Sequence, residues 1–198
     1  MLEAQYTPNL IEAGCDEAGR GCLAGPVFAA AVVLPKNYQN PRINDSKQLT
    51  EKQRLALRAE IENDALAWAV AQVDNNDIDK MNILAASMHA MNLAVQQLSL
   101  KPQYLLIDGN RFYNETDISY RFFVKGDARF LSIAAASILA KTYRDEFMTK
   151  IHNEYPQYNW NKNKGYPTKY HYQAIAEFGI TPYHRKSFTL QKQLTLNF

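Results

Sequence analysis

The chain of 198 residues has only two cysteines, Cys15 and Cys22, and no long apolar run free of charged residues. Two cysteines are too few for a disulfide scaffold and lack the spacing of a zinc site, so we expect both to be buried and reduced. No segment reaches the roughly 18 uncharged apolar residues of a membrane span. Residues 1–9 contain Glu3 and no apolar signal-peptide core. The sequence therefore predicts a cytoplasmic protein with no membrane association.

The sequence also lacks three common catalytic or phosphate-binding patterns, namely G-x-S-x-G, H-E-x-x-H and G-x-x-x-x-G-K-[ST]. Their absence argues against an α/β-hydrolase, a zinc protease and a P-loop nucleotidase. The four histidines show no metal-ligand spacing. The remaining candidates for chemistry are acidic side chains.

The net charge is only +2, but the charges are unevenly distributed. Residues 141–198 contain nine Lys and Arg against four Asp and Glu, whereas residues 1–140 contain thirteen against sixteen. A basic C-terminal third beside an acidic body is typical of a protein that holds a polyanion over a cation-binding site, although a solvated charged surface gives the same asymmetry. With 46% hydrophobic residues, the chain can form one substantial core, and we predict a single domain over residues 1–198.

Apolar runs bounded by turn residues predict strands, and apolar residues at helical spacing predict helices. Thr50 and Gln53 have the spacing of a capping box, which predicts that a helix begins there. The segment between the third and fourth strands is long enough for a crossover helix, which favours a mixed sheet with helices on its faces. The predicted strands are 10–17, 27–34, 65–73, 104–109 and 120–127, and the clearest helices are 78–98 and 129–151.

Four acids stand at the ends of predicted strands or in the turns that follow, namely Asp16, Glu17, Asp108 and Asp127. If the sheet brings these ends together, the carboxylates form a cluster of hard oxygen ligands that suits Mg²⁺ or Mn²⁺ rather than zinc. Taken singly, each acid is more often a simple strand terminator. Alternation along a strand also sends the adjacent Asp16 and Glu17 to opposite faces, which conflicts with a shared site.

Six short motifs resemble those of the bacterial ribonuclease HII family. They occur in order from about residue 10 to residue 189, and their combination is far more specific than any one of them. The motifs are DEAGRG at 16–21, NDSKQL at 44–49, LIDGN at 106–110, KGD at 125–127, AAASILAKTYRD at 134–145 and KGYPT at 164–168. The resemblance implies an α/β, ribonuclease H-like fold: a central mixed sheet flanked by helices, with a helical, substrate-binding C-terminal extension over about residues 152–190.

The resemblance also implies endonucleolytic cleavage of the RNA strand of RNA–DNA hybrids, including single ribonucleotides embedded in duplex DNA. The implied cofactor is a divalent metal, Mn²⁺ or Mg²⁺, and Asp16 is the expected bridge between two ions. Hydrolysis of this kind leaves 5′-phosphate and 3′-hydroxyl ends. The implied catalytic and metal-binding residues are Asp16, Glu17, Asp108 and Asp127.

Implied substrate contacts fall on three short segments. Gly19, Arg20 and Gly21 would read the ribose 2′-hydroxyl, because glycine lets the backbone approach a sugar closely. Tyr166 would stack on the sugar of the following deoxynucleotide, and Lys47 would meet phosphate.

Residues 155–172 interleave six aromatic side chains with lysines, which suits stacking combined with phosphate contacts. Such a segment is also typical of aromatics that pack a small helical subdomain. We single out Tyr166 for substrate contact and expect the other aromatic side chains to pack.

Two other interpretations share this fold. A non-catalytic binder of nucleic acid would be expected to have lost one of the four acids, and none is lost here. A type 1 ribonuclease H would lack the GRG and KGY elements at 19–21 and 164–166. A duplex with a single ribonucleotide separates the two enzyme types, because only type 2 should nick it. The chain is expected to act as a monomer.

The tail at 193–198, QLTLNF, resembles the peptides of pattern Gln-Leu-x-Leu-x-hydrophobic by which bacterial repair enzymes dock on the replication sliding clamp. Gln193 and the alternating Leu194, Leu196 and Phe198 would fill pockets on such a partner, and a chain terminus is a suitable carrier. The alternative is that these apolar residues fold back on the enzyme, since short patterns match by chance. We expect residues 191–198 to form a tail that catalysis does not need.

Overall fold

The protein, whose computed structural model describes residues 2–44 and 46–190, is built on one mixed five-stranded sheet. The strands are β1 (Glu12–Ala18), β2 (Val27–Val33), β3 (Ala67–Val73), β4 (Tyr104–Asp108) and β5 (Ser119–Phe123). Their order in the sheet is β3-β2-β1-β4-β5. β1 is antiparallel to β2 and parallel to β4, the β2–β3 pair is antiparallel, and the β4–β5 pair is parallel.

Helices cover both faces of this sheet, so the predicted fold class is confirmed. They are α1 (Glu51–Asp64), α2 (Asn75–Met81), α3 (Ile83–Gln96), α4 (Leu131–His152), α5 (Trp160–Asn163) and α6 (Lys169–Phe178). α3 packs on one face of the sheet, whereas α1 and α4 pack on the other. β2, with the sequence VFAAAVV, is buried along its whole length because both of its faces are covered.

Capping residues mark the starts of α1 and α3. The Thr50 side chain accepts from the backbone N–H of Gln53, whose side chain accepts from Thr50 N–H, which confirms the predicted capping box. The single helix predicted over 78–98 is wrong, because α2 and α3 are separated at Asn82. Asn82 has φ of 71° and its side chain accepts hydrogen bonds from two amides in the first turn of α3. It therefore ends one helix and caps the next.

Residues beyond α4 form short helical segments beside the glycine-rich loop that follows β1. The N–H of Leu23 donates to the carbonyl oxygen of Gly165 at 2.8 Å. One hydrophobic cluster joins this loop, the end of α4 and the C-terminal segments, namely Leu23, Ala24, Met148, Ile151, Tyr158, Trp160, Ala174 and Ile175. The extension is thereby placed next to the predicted site.

Three other predictions concern single features of the chain. Cys15 and Cys22 are buried and unpaired, as expected. In the ranges 2–44 and 46–190, no helix has the length and apolar character needed to cross a membrane. The clamp-docking pattern at 193–198 lies outside the described residues, so it stays a prediction.

Candidate active site

Three of the four predicted acids meet where β1 and β4 end. The two strands are parallel neighbours in which Cys15 pairs with Ile107. Asp16 and Asp108 directly follow this pair, so both acids lie at the same end of the sheet. Asp16, Glu17 and Asp108 line one cleft of about 400 Å³, together with residues 18–21. The strand ends are therefore brought together as the sequence predicts.

Asp16 and Glu17 lie on opposite faces of β1, as strand alternation requires. Asp16 pairs with Ala30 on the α4 face and lines the cleft together with Ser137 of α4. Glu17 pairs with Ala29 on the α3 face. Both side chains nevertheless line the same cleft, because β1 ends one residue later. The position of the pair at the strand end removes the conflict with alternation.

Asp127 reaches the other acids from a turn and not from a strand. The strand predicted over 120–127 is wrong in extent, because β5 ends four residues earlier and Asp127 lies in the 3₁₀ turn Gly126–Ala128. The N–H of Gly126 donates to Asp108 Oδ1 at 2.7 Å, which holds the turn against β4. Burial, and then the nearby charge of Asp127, raises the pKa of Asp108.

The buried acids repel one another. Asp16 is 5% exposed, and burial, followed by the charges of Glu17 and Asp108, raises its pKa well above the usual range. Burial also raises the pKa of Glu17, against the opposing effect of Arg20, whose Nη1 lies 3.2 Å from Glu17 Oε1. The site thus carries an unfavourable concentration of negative charge that a bound cation would relieve.

The acid cluster consists of Asp16, Glu17, Asp108 and Asp127. All its donor atoms are carboxylate oxygens, which fits Mg²⁺ or Mn²⁺. Glu17 forms an ion pair with Arg20. Asp127 forms one with Lys47, whose Nζ lies 3.5 Å from Asp127 Oδ2. Within the described ranges, no three Asp, Glu, His or Cys side chains are gathered closely enough to enclose an ion. An ion at the cluster would therefore replace the contacts to Arg20 and Lys47.

The glycine loop, residues 19–26, lies directly on the side chain of Arg144. Gly19 has φ of +99°, and a Cβ there would lie 2.0 Å from Arg144 Nε, so only glycine fits. Arg144 is fully buried and donates to two carbonyl oxygens of the loop and to that of Lys164, at 2.9–3.1 Å. It therefore holds the loop against the turn that contains Lys164.

Arg185 supports the same loop from the C-terminal extension. Its Nε donates to Gly25 O and its Nη1 to Arg20 O, both at 2.9 Å. Burial, followed by the charge of Arg144, lowers the pKa of Arg185 to about 10. Neither arginine is predicted from the sequence, because an arginine that binds carbonyl groups has no acidic partner at a recognisable spacing. The one available signal is that Arg144 belongs to the motif AAASILAKTYRD.

Four further polar residues line the cleft although sequence reasoning assigns them no role, namely Ser46, Arg54, Ser137 and Lys141. The hydroxyl oxygens of Ser46 and Ser137 are 2.9 Å apart, so the two side chains share a hydrogen bond. Lys141 Nζ lies 5.5 Å from the ring centroid of Tyr166. Ser46, Ser137 and Lys141 belong to quoted motifs, which is the signal that could have identified them, whereas Arg54 lies outside every motif.

Tyr166 lines the same cleft and is 39% exposed. Burial of the remainder raises the pKa of its phenol. Among the other aromatic residues of this region, Tyr158 and Trp160 are buried with their rings stacked 5.0 Å apart, as predicted for packing. Tyr170 is 51% exposed, so the prediction that it packs is wrong for that residue.

Comparison with known proteins gives consistent matches along the chain. The family model Ribonuclease HII matches residues 13–191. A Ribonuclease HII of Bacteroides thetaiotaomicron is 64% identical over 200 residues, which cover 100% of both chains. A Ribonuclease HII of Parabacteroides distasonis is 62% identical over 199 residues, again covering 100% of both chains.

Solved structures share the fold. Ribonuclease H2 from Pyrococcus horikoshii OT3 has a TM-score of 0.76 and 25% identity, covering 90% of this chain and 94% of that one. The PCNA:RNase HII complex from Archaeoglobus fulgidus has a TM-score of 0.76 and 23% identity, covering 95% and 100%. Bst-RNase HIII in complex with Mn²⁺ has a TM-score of 0.74 and 19% identity, covering 91% and 68%. With these matches, the chain belongs to the ribonuclease HII family, the type 2 ribonucleases H that hydrolyse RNA in RNA–DNA hybrids.

Proposed function

We propose that this protein nicks duplex DNA at single embedded ribonucleotides, in addition to cutting the RNA strand of RNA–DNA hybrids. The observation that carries the proposal is the continuity of residues 16–21 along the cleft, where the acids Asp16 and Glu17 are followed within five residues by the glycine loop. A ribose 2′-hydroxyl read by that loop lies next to the acids. One ribonucleotide is then enough to align the scissile phosphate.

The loop suits sugar recognition because its inner side is held by the protein and its outer side faces solvent. Arg144 and Arg185 bind its carbonyl groups from the interior of the protein. A Cβ added at Gly21 would meet no atom within 4 Å, so this part of the backbone is accessible. We assign the contacts with the 2′-hydroxyl and the adjoining backbone to Gly19, Arg20 and Gly21.

Tyr166 and Lys47 supply the remaining substrate contacts in this proposal. The partly exposed ring of Tyr166 suits stacking on the sugar of the following deoxynucleotide. The Lys47 side chain is largely exposed beyond its contact with Asp127, which suits an exchange of that carboxylate for a backbone phosphate.

The acid cluster would hold the divalent metal on which ribonucleases H depend, either Mg²⁺ or Mn²⁺. When bound, the metal supplies an activated water and stabilises the leaving oxygen, which gives 5′-phosphate and 3′-hydroxyl ends. The chain's own part is orientation: the N–H of Glu17 donates to the carboxylate of Asp16, and the N–H of Gly126 donates to that of Asp108.

The working unit in this proposal is one chain in the cytoplasm. The acid cluster, the glycine loop and Tyr166 all belong to the same chain, so a monomer suffices. The substrate is cellular DNA, and the buried thiols of Cys15 and Cys22 suit a reducing compartment.

The test uses purified protein and three duplexes labelled on one strand, which contain one ribonucleotide, a full RNA strand or DNA only. We expect nicking of the first two and none of the third. Activity should disappear with EDTA and return with added Mn²⁺ or Mg²⁺, and a DNA polymerase should extend the nick without end repair. Cleavage of the hybrid together with an intact single-ribonucleotide duplex would contradict the proposal.

We infer further that residues 193–198 attach the enzyme to the replication sliding clamp. The support is the spacing of Gln193, Leu194, Leu196 and Phe198, together with the PCNA complex of the Archaeoglobus fulgidus protein, which has the same fold. In a pull-down with purified clamp, the full-length protein should bind and a form that ends at Gln191 should not. Both forms should nick at the same rate. Clamp binding that survives the truncation, or never occurs, would exclude this role.

A further inference from the structure

A buried network of two histidines and a tryptophan contacts the backbone of Tyr166. Trp160, His171 and His184 have no solvent exposure. The two imidazole Nε2 atoms are 3.2 Å apart, and Trp160 Nε1 lies 3.1 Å from His171 Nε2. His171 Nδ1 lies 3.0 Å from the carbonyl oxygen of Tyr166. None of these three side chains has a role in the function proposed above.

The contacts fix the tautomer of both imidazoles. The backbone N–H of Thr181 donates to His184 Nδ1 at 2.9 Å, so the proton of His184 is on Nε2. That N–H donates to His171 Nε2, which also accepts from Trp160 Nε1. His171 must then carry its proton on Nδ1, where it donates to the carbonyl of Tyr166. A single directed chain of hydrogen bonds therefore runs from Thr181 to Tyr166.

This chain of hydrogen bonds requires both imidazoles to be neutral. A proton on His184 Nδ1 would face the N–H of Thr181, and a proton on His171 Nε2 would face two donors. Burial lowers the pKa of His171, and burial followed by the proximity of His171 lowers the pKa of His184 to about 4. The network is therefore intact at neutral pH.

Tyr166 is held at its backbone while its ring stands in the cleft. Its carbonyl oxygen accepts from His171 and, at 2.8 Å, from the N–H of Thr168. Its own N–H donates to Asn163 O at 2.9 Å. Because the backbone sets the direction of the Cα–Cβ bond, these contacts limit the positions that the ring can reach.

We propose that His171 and His184 are positioning residues for Tyr166, which fix its backbone and thereby the angle at which its ring meets the substrate sugar. The proposal rests on the substrate contact proposed for Tyr166. Arg185, the neighbour of His184, holds the glycine loop, so two consecutive residues support two parts of the same cleft. The histidines then affect nicking only through Tyr166, and their effect must vanish when its ring is removed.

The test compares two substitutions of His171, each of which keeps the hydrogen-bonding function of only one ring nitrogen. His171→Asn places an amide nitrogen near the position of Nδ1, so it keeps a donor for Tyr166 O but no acceptor for Trp160 and His184. His171→Gln places its amide near Nε2, so it keeps the acceptor but loses the donor to Tyr166. Each variant is made with Tyr166 and with Tyr166→Ala. Single-turnover nicking of a single-ribonucleotide duplex is measured well below the melting temperature, which is recorded for every variant.

We expect His171→Gln to be the more stable variant, because it keeps an acceptor for the buried N–H groups of Trp160 and His184. It should nevertheless lower the nicking rate about tenfold, whereas His171→Asn should stay within about threefold of the wild type. In the Tyr166→Ala background the two variants should differ by less than about twofold. Rates that follow the melting temperatures, or a loss that persists without the Tyr166 ring, would overturn the proposal.

His184 offers a second test of the same network. If either His171 variant fails to fold, the same comparison is made at His184, where Gln keeps the donor to His171 and Asn keeps only the acceptor for Thr181. Gln should then be the faster variant, and the reverse order would overturn the proposal. If Tyr166→Ala nicks at the wild-type rate, Tyr166 makes no substrate contact, and the positioning role is excluded with it. If only the comparison of Gln with Asn fails, the positioning role alone is excluded.

Discussion

Asp108→Asn is expected to lower the nicking rate by at least about a thousandfold. The asparagine keeps the shape of the side chain and an oxygen for the Gly126 N–H, but it removes the charge that a divalent metal requires. A thousandfold lower rate corresponds to the loss of several kcal/mol of transition-state stabilisation by the metal. Rates are measured under single-turnover conditions with a single-ribonucleotide duplex and saturating Mn²⁺ or Mg²⁺. Cutting at a near wild-type rate would exclude Asp108 from the metal site.

The same substitution is expected to raise the melting temperature of the metal-free protein by roughly a few degrees at pH 8. Burial and the charge of Asp127 raise the pKa of Asp108 in the folded state. The ionised carboxylate therefore costs folding free energy above that raised pKa, and the cost fades as the pH falls toward the unfolded value of about 3.9. The gain should accordingly disappear near pH 4. Asp117→Asn, at an exposed acid outside the cleft, should change neither the rate nor the melting temperature.

Gly14→Ala is expected to destabilise the protein by about 4 kcal/mol or more, which is near the upper end for a single substitution. A Cβ at Gly14 would lie 2.2 Å from the carbonyl carbon of Ser132 and 2.3 Å from the nitrogen of Ile133. Both are backbone atoms at the start of α4, so the whole helix must move. A shift of α4 also moves Ser137 away from Asp16. Denaturant unfolding and nicking should therefore both show large losses.

Gly21→Ala is the matched control for this effect. A Cβ at Gly21 would meet no atom within 4 Å, so the unfolding free energy should change by less than about 0.5 kcal/mol. Equal destabilisation by both substitutions would show that contact between β1 and α4 is not the cause.

Features that depend on neighbours in the sequence could be predicted. The capping box of Thr50 and Gln53 and the buried strand β2 are each determined by a few consecutive residues. The fold class follows from the order of strands and helices, and it is confirmed. The break at Asn82 could not be predicted, because asparagine in a helical pattern is compatible with a surface position as well as with a cap.

The candidate site was predictable only in part, because its partners come from distant segments. Apolar runs located Asp16 and Asp108 at strand ends, but no single run indicates that β1 pairs with β4. The turn that carries Asp127 is fixed by contacts with β4 rather than by its own sequence. Arg144 and His184 bind a carbonyl group and an imidazole from other parts of the chain, for which no local pattern exists. The roles of the acids and of the glycine loop stay predictions.

The position of β1 between β2 and β4 affects the order in which the enzyme folds during synthesis. Asp16 and Asp108 lie about ninety residues apart, and they meet only after the chain has passed from the β3 edge to the other side of β1. Pairings that close such long loops form later than local ones, on a scale of roughly milliseconds to seconds. Asp127 and Ser137 leave the ribosome later still. A nascent or half-folded chain therefore lacks a complete acid cluster, and nuclease activity arises only once the whole sheet and α4 are in place.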